Sequence, residues 1–442
     1  MPFALYYHLR LYATLGYSLR MPETCAHPSR SFRLICRREH SSLVEDFLRE
    51  QGFAFTAEDF LPQARRLLKE PFPLGASLAS VFGYIYIQDR SSMLPPLALN
   101  PPPGAAVLDM CASPGSKTGL LAQLVGDNGF VLANEPNPKR LAALRQNLLR
   151  LNLLQTGTCS FPGERMPMPS ASWEYIQLDP PCSGWGTEEK HPKVRTLWKD
   201  GKVRPLARLQ RRLLKEAARL LIPGGRLVYS TCTTNPEENE EQVRFAVEEL
   251  GLRLLPLRPF AGFSFDNPAR GAEGSLLVRG HASGAQGFFL ALLTKAAHTE
   301  TPRSPSVATP ACAPPPRLLF PGALDEDIRA LLPPGEIALC GEKICFLPKP
   351  GLERLPAGLH WQGCALGKKH DGQTRLSPRL HRLLPPIPAA DSLNLDELAP
   401  LADLLAGRGL ETSLRRKQAS LYWRGLPLAR LKLKGSRALL SP

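Results

Sequence analysis

The stretch that most constrains this chain runs from Ala105 to Thr118. An apolar run, Ala105 to Leu108, ends in Asp109 and breaks at once into Met110-Cys111-Ala112-Ser113-Pro114-Gly115. Ser116, Lys117 and Thr118 follow, and then leucines at helical spacing (Leu120, Leu121, Leu124). Strand, tight turn and helix in that order open a doubly wound parallel sheet. Small residues in the turn let backbone approach a ligand closely, and the helix N-terminus offers free N–H groups to an anionic group. Taken alone, the pattern fits many nucleotide and coenzyme sites.

The alternation continues downstream. Phe130 to Asn134 reads as a second strand ending at Glu135, about 20 residues beyond the turn, where a carboxylate can accept hydrogen bonds from ribose hydroxyls. A helix from Pro138 carries Leu141, Leu144, Leu148 and Leu151 on one face. Thr156 to Phe161 is a weaker third strand. Glu174 to Leu178 is a fourth, ending in Asp179-Pro180-Pro181-Cys182-Ser183-Gly184. Leu206 to Leu221 is an amphipathic helix with arginines opposite its apolar face. Pro223-Gly224-Gly225 turns into a fifth strand, Arg226 to Ser230, which ends in Thr231-Cys232-Thr233. Asn235-Pro236-Glu237-Glu238 has the form of a capping box, and Gly287 to Leu293 reads as a last buried strand. Ligands of such sheets bind beyond the carboxyl ends of the strands. Cys182, Cys232 and Asp179 should therefore converge on one crevice.

The rest of the 442 residues divides by composition. Residues 1–30 read as an irregular extension. Arg10 interrupts their apolar run and no small-residue cleavage site follows, which speaks against a signal peptide. Residues 31–95 form an N-terminal accessory segment, with a helix over Ser42–Glu50 and a strand over Val81–Gln88. Residues 96–297 form the sheet domain, and 298–317, rich in Pro, Thr, Ala and Ser, a linker. Residues 318–442 read as a small β-rich module with short strands at Glu342–Leu347 and Leu421–Trp423. Within it Ala429, Leu431 and Leu433 alternate with Arg430, Lys432 and Lys434. That basic face suits a phosphate backbone, or it protects an edge strand.

The formal net charge of +15 favours a polyanionic partner, and nucleic acid is the commonest one. The 10 cysteines form no CxxC pair and no framework, which suggests free thiols in a reducing, cytoplasmic setting. Cys340 and Cys345 lack matching histidines, so no metal site is expected. No stretch approaches a membrane span.

This set of motifs resembles the RNA cytosine-5 methyltransferases of the Sun/Fmu type, which use S-adenosylmethionine. The resemblance covers roughly residues 80 to 295. It rests on Gln88-Asp89, the Asp109 to Thr118 turn, Pro181-Cys182-Ser183-Gly184, Tyr229-Ser230-Thr231-Cys232-Thr233, Asn235-Pro236-Glu237-Glu238-Asn239 and Gly287-Phe288-Phe289. The tail, with Gly358-Leu359-His360-Trp361 and Leu366-Gly367, is similar to the RNA-binding extension of the bacterial 16S ribosomal RNA branch. The resemblance implies a Rossmann-like α/β methyltransferase sheet with an N-terminal accessory segment and a C-terminal α+β, PUA-like RNA-binding module. It implies methylation of carbon 5 of a cytosine in RNA by a monomer, with 16S ribosomal RNA favoured and transfer RNA second. Cys232 would be the nucleophile, Cys182 would assist product release, and Asp179 would hold the ring-nitrogen side of the base. The methyl donor would be held by Cys111, Ala112, Ser113, Pro114, Gly115, Ser116, Lys117, Glu135 and Asp179. A thiol with this task needs a lowered pKa, and Lys117 could supply the charge. The target base must leave its stack.

Three positions depart from the family pattern. Pro180 stands where the family has alanine, giving the Asp-Pro-Pro of amino-group methyltransferases, although those carry an aromatic residue where this chain has Cys182. Pro162-Gly163 stands near the acid that usually reaches the adenine. Ile35 replaces the asparagine of an Arg-x-Asn motif at Arg33. An amino-nitrogen methyltransferase and a non-catalytic RNA-binding factor are the alternative readings.

Overall fold

The computed structural model describes residues 30–188, 200–268, 270–296, 317–318, 324, 326–370 and 373–440. The extension before residue 30, most of the 298–317 linker, and His191 and Lys193 lie outside the described residues.

The accessory segment is a four-stranded antiparallel sheet in the order β2-β3-β1-β4. Its strands are β1 (Ser31–Leu34), β2 (Ala54–Glu58), β3 (Leu61–Lys69) and β4 (Ile85–Ile87), with α1 (Ser41–Arg49) on one face. The strand expected over Val81–Gln88 is shorter than the sequence suggests. Leu78–Val81 is a helical turn whose N-cap, the Ser77 hydroxyl, accepts the Ser80 N–H. Gly83 then turns the chain at φ +79°, where a Cβ would lie 1.8 Å from the Arg150 carbonyl oxygen. A β-branched and aromatic run thus yields to a cap and a glycine that only one backbone geometry satisfies.

The central sheet is built on β5 (Ala106–Asp109), β6 (Phe130–Asn134), β7 (Thr156–Cys159), β8 (Trp173–Leu178) and β9 (Leu221–Thr231). These five are parallel in the order β9-β8-β5-β6-β7, so the winding reverses between β5 and β8. The helices α2 (Ser116–Val125), α3 (Pro138–Arg150) and α4 (Asp200–Leu220) make the crossovers. After β9 come α5 (Glu240–Glu248), β10 (Leu252–Leu255), β11 (Phe265–Asp266), β12 (Leu276–Val278) and β13 (Phe288–Lys295). β13 lies antiparallel to β9, pairing Phe289 with Thr231 and Thr294 with Arg226. The expected turn at Pro223-Gly224-Gly225 sits inside β9 as a register shift: Trp173 opposes Leu221, but Tyr175 opposes Arg226.

The stretch expected to be one β-rich module carries two five-stranded sheets. The first contains β14 (Arg317–Leu318), β15 (Gly335–Cys340), β16 (Lys343–Pro348), β18 (Cys364–His370) and β19 (Gln373–Leu376). It is tied to the central sheet by β17 (Trp361–Gln362), which pairs antiparallel with β7. Trp361 lies edge-on to Phe130, with ring centroids 5.6 Å apart. The second sheet comprises β20 (Leu393–Leu395), β21 (Leu410–Glu411), β22 (Gln418–Trp423), β23 (Leu426–Lys434) and β24 (Arg437–Leu439). It shares one hydrophobic core with the accessory segment, where the rings of Phe47 and Trp423 are 4.8 Å apart. Chain segments more than 300 residues apart thereby share one core. β23 keeps the expected alternation, with Ala429, Leu431 and Leu433 buried and Lys432 and Lys434 exposed. It pairs on both sides, with β22 and β24, so it is not an edge strand.

Candidate active site

The carboxyl ends of β8 and β9 are neighbours, with Leu178 opposite Tyr229. Each strand continues for a few residues past the sheet. There Cys182 and Cys232 meet, with their Sγ atoms 3.3 Å apart. The loop that carries Cys182 is pinned in three ways. The Ser183 N–H and hydroxyl donate to the two Glu238 carboxylate oxygens at 3.0 and 2.5 Å. The Gln210 amide of α4 donates to Glu238 and to the Pro181 carbonyl. Gly186 donates its N–H to the Cys232 carbonyl and accepts from Gly287. A Cβ on Gly186 would stand 2.1 Å from the Gly287 carbonyl oxygen, so this close approach needs glycine. Asn235 does cap the turn that follows β9, accepting the Glu237 N–H. Glu238 does not complete the expected capping box: its carboxylate reaches Ser183, Gln210 and the Asn235 side-chain amide.

Asp179, just past β8, faces the same space. Lys117 at the start of α2 pairs with it at 2.7 Å, and the Ser230 hydroxyl donates to its other oxygen at 2.9 Å. Burial alone would lower the Lys117 pKa, but Asp179, through its charge and its hydrogen bond, raises it, with smaller contributions from Cys232 and Asp109. The two thiols polarise in opposite directions. Cys182 is pushed well up, first because its proton sits in a hydrogen bond to Cys232 and then because it is buried. Cys232 is held below the ordinary thiol value, first by that hydrogen bond and in smaller part by the Lys117 charge. The cation expected to tune Cys232 is present, but the second thiol contributes more. Of the two thiols, Cys232 is the one that gives up its proton more readily.

The turn after β5 is braced from α3. Ser113 donates its hydroxyl to the Arg140 carbonyl, Arg140 returns a bond to the Ser113 carbonyl, and Asn147 donates to the Pro114 carbonyl. Gly115 adopts φ +103°, and a Cβ there would press on Leu144 at 2.9 Å. Glu135 lies at the end of β6 with one oxygen accepting the Asn137 N–H and Arg140 3.4 Å from the other. Cys111 to Ser116 thus form a braced turn beyond β5, Glu135 stands at the next strand end, and the Lys117–Asp179 pair links the start of α2 to the end of β8. A braced glycine turn beneath a helix N-terminus, with a carboxylate one strand over, suits the carboxylate and ribose of S-adenosylmethionine. Near the departure at Pro162-Gly163, the Asn134 side chain occupies the strand end, donating to the Phe161 carbonyl and accepting its N–H.

Two residues lie behind the site. Cys159 is fully buried and burial pushes its thiol up, so it packs as a small hydrophobe. Arg33 is also fully buried. Its guanidinium reaches the Ser116 carbonyl at 3.3 Å and Gln88 at 3.4 Å, and burial lowers its pKa to about 9. It supports the turn from behind and offers nothing to a ligand at the surface. Sequence reasoning quoted Ser183, Ser230 and Glu238 within motifs without giving them these roles, and passed over Gln210, a polar residue among the apolar positions of α4.

The comparisons with known proteins agree with this geometry. The family model described as 16S rRNA methyltransferase RsmB/F matches residues 96–294. Ribosomal RNA small subunit methyltransferase F of Cronobacter sakazakii is 38% identical over 251 residues, which are 54% of this chain and 50% of that protein. The tRNA (cytosine(49)-C(5))-methyltransferase of Pyrococcus abyssi is 40% identical over 180 residues, 40% of this chain and 58% of its own length. The crystal structure of a methyltransferase homolog from Pyrococcus horikoshii superimposes with a TM-score of 0.54 at 31% identity, covering 65% of this chain and 90% of that one. The chain spans about half the length of the ribosomal relatives it matches. Through residues 96–294 the chain belongs to the 16S rRNA methyltransferase RsmB/F family.

Proposed function

We propose that this chain methylates carbon 5 of a cytosine in RNA, with S-adenosylmethionine as donor, small-subunit ribosomal RNA as the favoured substrate and Cys232 as the nucleophile. The observation that carries the proposal is the 3.3 Å approach of two oppositely polarised thiols beside the Lys117–Asp179 pair. Carbon 5 of cytosine is a poor nucleophile. The Cys232 thiolate adds to carbon 6, and the electrons of the 5,6 double bond move to carbon 5. Asp179, held by Lys117 and Ser230, meets the ring-nitrogen side of the base, where a hydrogen bond or a proton delivered to that nitrogen offsets the negative charge that thiolate addition puts into the ring. The methyl donor supplies an electrophilic carbon, held by the turn from Cys111 to Lys117, by Glu135 and by Asp179. A base then removes the carbon-5 proton, the double bond re-forms, and the carbon–sulfur bond breaks. Cys182 assists that departure from the adjacent strand end. The exposed Lys432 and Lys434 of β23 belong to a C-terminal surface that meets the RNA backbone.

Methyl transfer to total RNA, followed by bisulfite mapping, tests the reading. It expects a new 5-methylcytosine in small-subunit ribosomal RNA. A methyl group on an exocyclic nitrogen would point instead to the amino-nitrogen alternative. Salt-dependent RNA binding with no transfer would point to a non-catalytic factor.

A further inference from the structure

The outer face of α4 has no role in the chemistry above. Arg204, Arg208, Arg211, Arg212 and Lys215 are all exposed along it. They recur at spacings of three and four residues, so they share one stripe. From Arg204 to Lys215 that stripe spans about 16 Å. Three of its pairs (204 with 208, 208 with 212, 211 with 215) are like charges at i,i+4, an arrangement that destabilises an isolated helix. Among the described residues none of the five has a carboxylate partner, whereas Arg219, one turn beyond, is paired with Glu216. Arg211 and Lys215 lie over the Phe245 ring of α5 at 5.3 and 5.7 Å, which steadies their stems while the charges face outward.

The inner face of the same helix reaches the active site. Gln210 lies between Arg208 and Arg211 and donates to the Pro181 carbonyl, one residue before Cys182. The helix runs away from the catalytic mouth, since it enters β9 at its amino end. Its cationic stripe therefore runs along the outer face from the strand-end side, where Gln210 on the inner face holds the Cys182 loop, toward the opposite end of the sheet. We infer that the exposed face of α4 is a docking track for the phosphate backbone of the substrate RNA, which delivers the target strand to the Cys182–Cys232 mouth. This inference rests on the RNA methyltransferase reading and names a surface for it. RNA is the occupant because a row of cations without acid partners matches a polyanion, and polyanion binding releases counterions along its length.

The test compares the full-length protein with Arg208→Glu/Arg212→Glu, with the milder Arg208→Gln/Arg212→Gln, and with Arg226→Glu/Arg253→Glu. The last pair changes net charge equally, but lies at the opposite end of the sheet, where Arg226 and Arg253 both face Thr294. Affinity for transcribed small-subunit ribosomal RNA is read against salt, S-adenosylmethionine binding by calorimetry, and methyl transfer as kcat and KM. Reversal on α4 should raise the RNA KM by about tenfold or more and lower the slope of log affinity against log salt by about 1–2. The glutamine pair should do the same to a smaller degree. Donor binding should be unchanged, and the Arg226/Arg253 pair should behave as the parent. Equal effects from the two reversed pairs, or no change in KM and slope on α4, would overturn the track. A parent protein that binds RNA through α4 but transfers no methyl group would keep the track and remove the methyltransferase reading.

Discussion

Two thiol pairs in this molecule invite comparison. Cys182 and Cys232 meet at the ends of parallel strands, and Cys340 and Cys345 lie diagonally across the β15–β16 hairpin, where Cys345 opposes Ala338 and Cys340 opposes Lys343. In both pairs one sulfur is drawn down and the other pushed up, and in both the first cause is the hydrogen bond between them. Around Cys340 the other charges are Arg145 and Lys343. Around Cys232 stand Lys117, Asp179 and Ser230, with a braced glycine turn alongside. A polarised thiol is therefore not enough to make a site. The difference lies in a held carboxylate to meet the base and a turn to hold the donor, and only the end of a parallel sheet brings those to the same place.

Four outcomes would break or sharpen that contrast. The largest effect is expected from Cys232→Ser, which should cost roughly a thousandfold or more in methyl transfer because the covalent route is lost. Cys340→Ser should leave transfer within about twofold of the parent. Equal losses at the two positions would erase the distinction between the pairs. Next, Cys182→Ser should lower turnover and leave a protein–RNA adduct that survives denaturing electrophoresis, since addition proceeds but release is hindered. Absence of any adduct would remove the assigned role.

A smaller effect is expected from Lys117→Met. The Lys117 charge helps hold Cys232 in its thiolate form, so removing it should move the pH midpoint of Cys232 alkylation upward. The alkylation midpoint of Cys340 should not move. The smallest effect concerns Asp109, which is fully buried, accepts the Thr118 hydroxyl at 2.7 Å and is raised by burial to about 6. The folded chain holds a proton that the unfolded chain gives up near the ordinary aspartate value. This contribution to stability is full below about pH 4 and is lost as pH rises through about 6. In Asp109→Asn the stability profile should flatten over that window, as read by denaturant titration at several pH values. An unchanged slope would show that Asp109 is not the titrating group.

Much of the site was legible in the chain because its signals are local. A strand that ends in Asp179 and runs into Pro-Pro-Cys, and another that ends in Ser-Thr-Cys, place side chains at strand tips whatever their surroundings. Glu238 was not legible. A Glu three residues after an Asn is the ordinary form of a cap, and only the packed loop reveals that its carboxylate holds Ser183 and Gln210. Arg33 was misleading for a related reason, since an arginine on a short strand looks like a surface contact until α2 covers it. Strand β3 went unread because Gln63, Arg65 and Arg66 break the apolar pattern. Arg65 and Arg66 find Glu45 and Glu58 as partners only once the sheet forms.

By itself the sequence determined the parallel sheet, the chemistry at its strand ends and the basic character of the surface. All three depend on residue types within a few positions of one another. Tertiary structure decided which sulfur ionises more readily, which polar groups hold the Cys182 loop, and how residues 31–87 and 393–439 form one core. Those outcomes depend on distances between groups that lie far apart along the chain, and hydrogen bonds and desolvation act only over distances that packing sets.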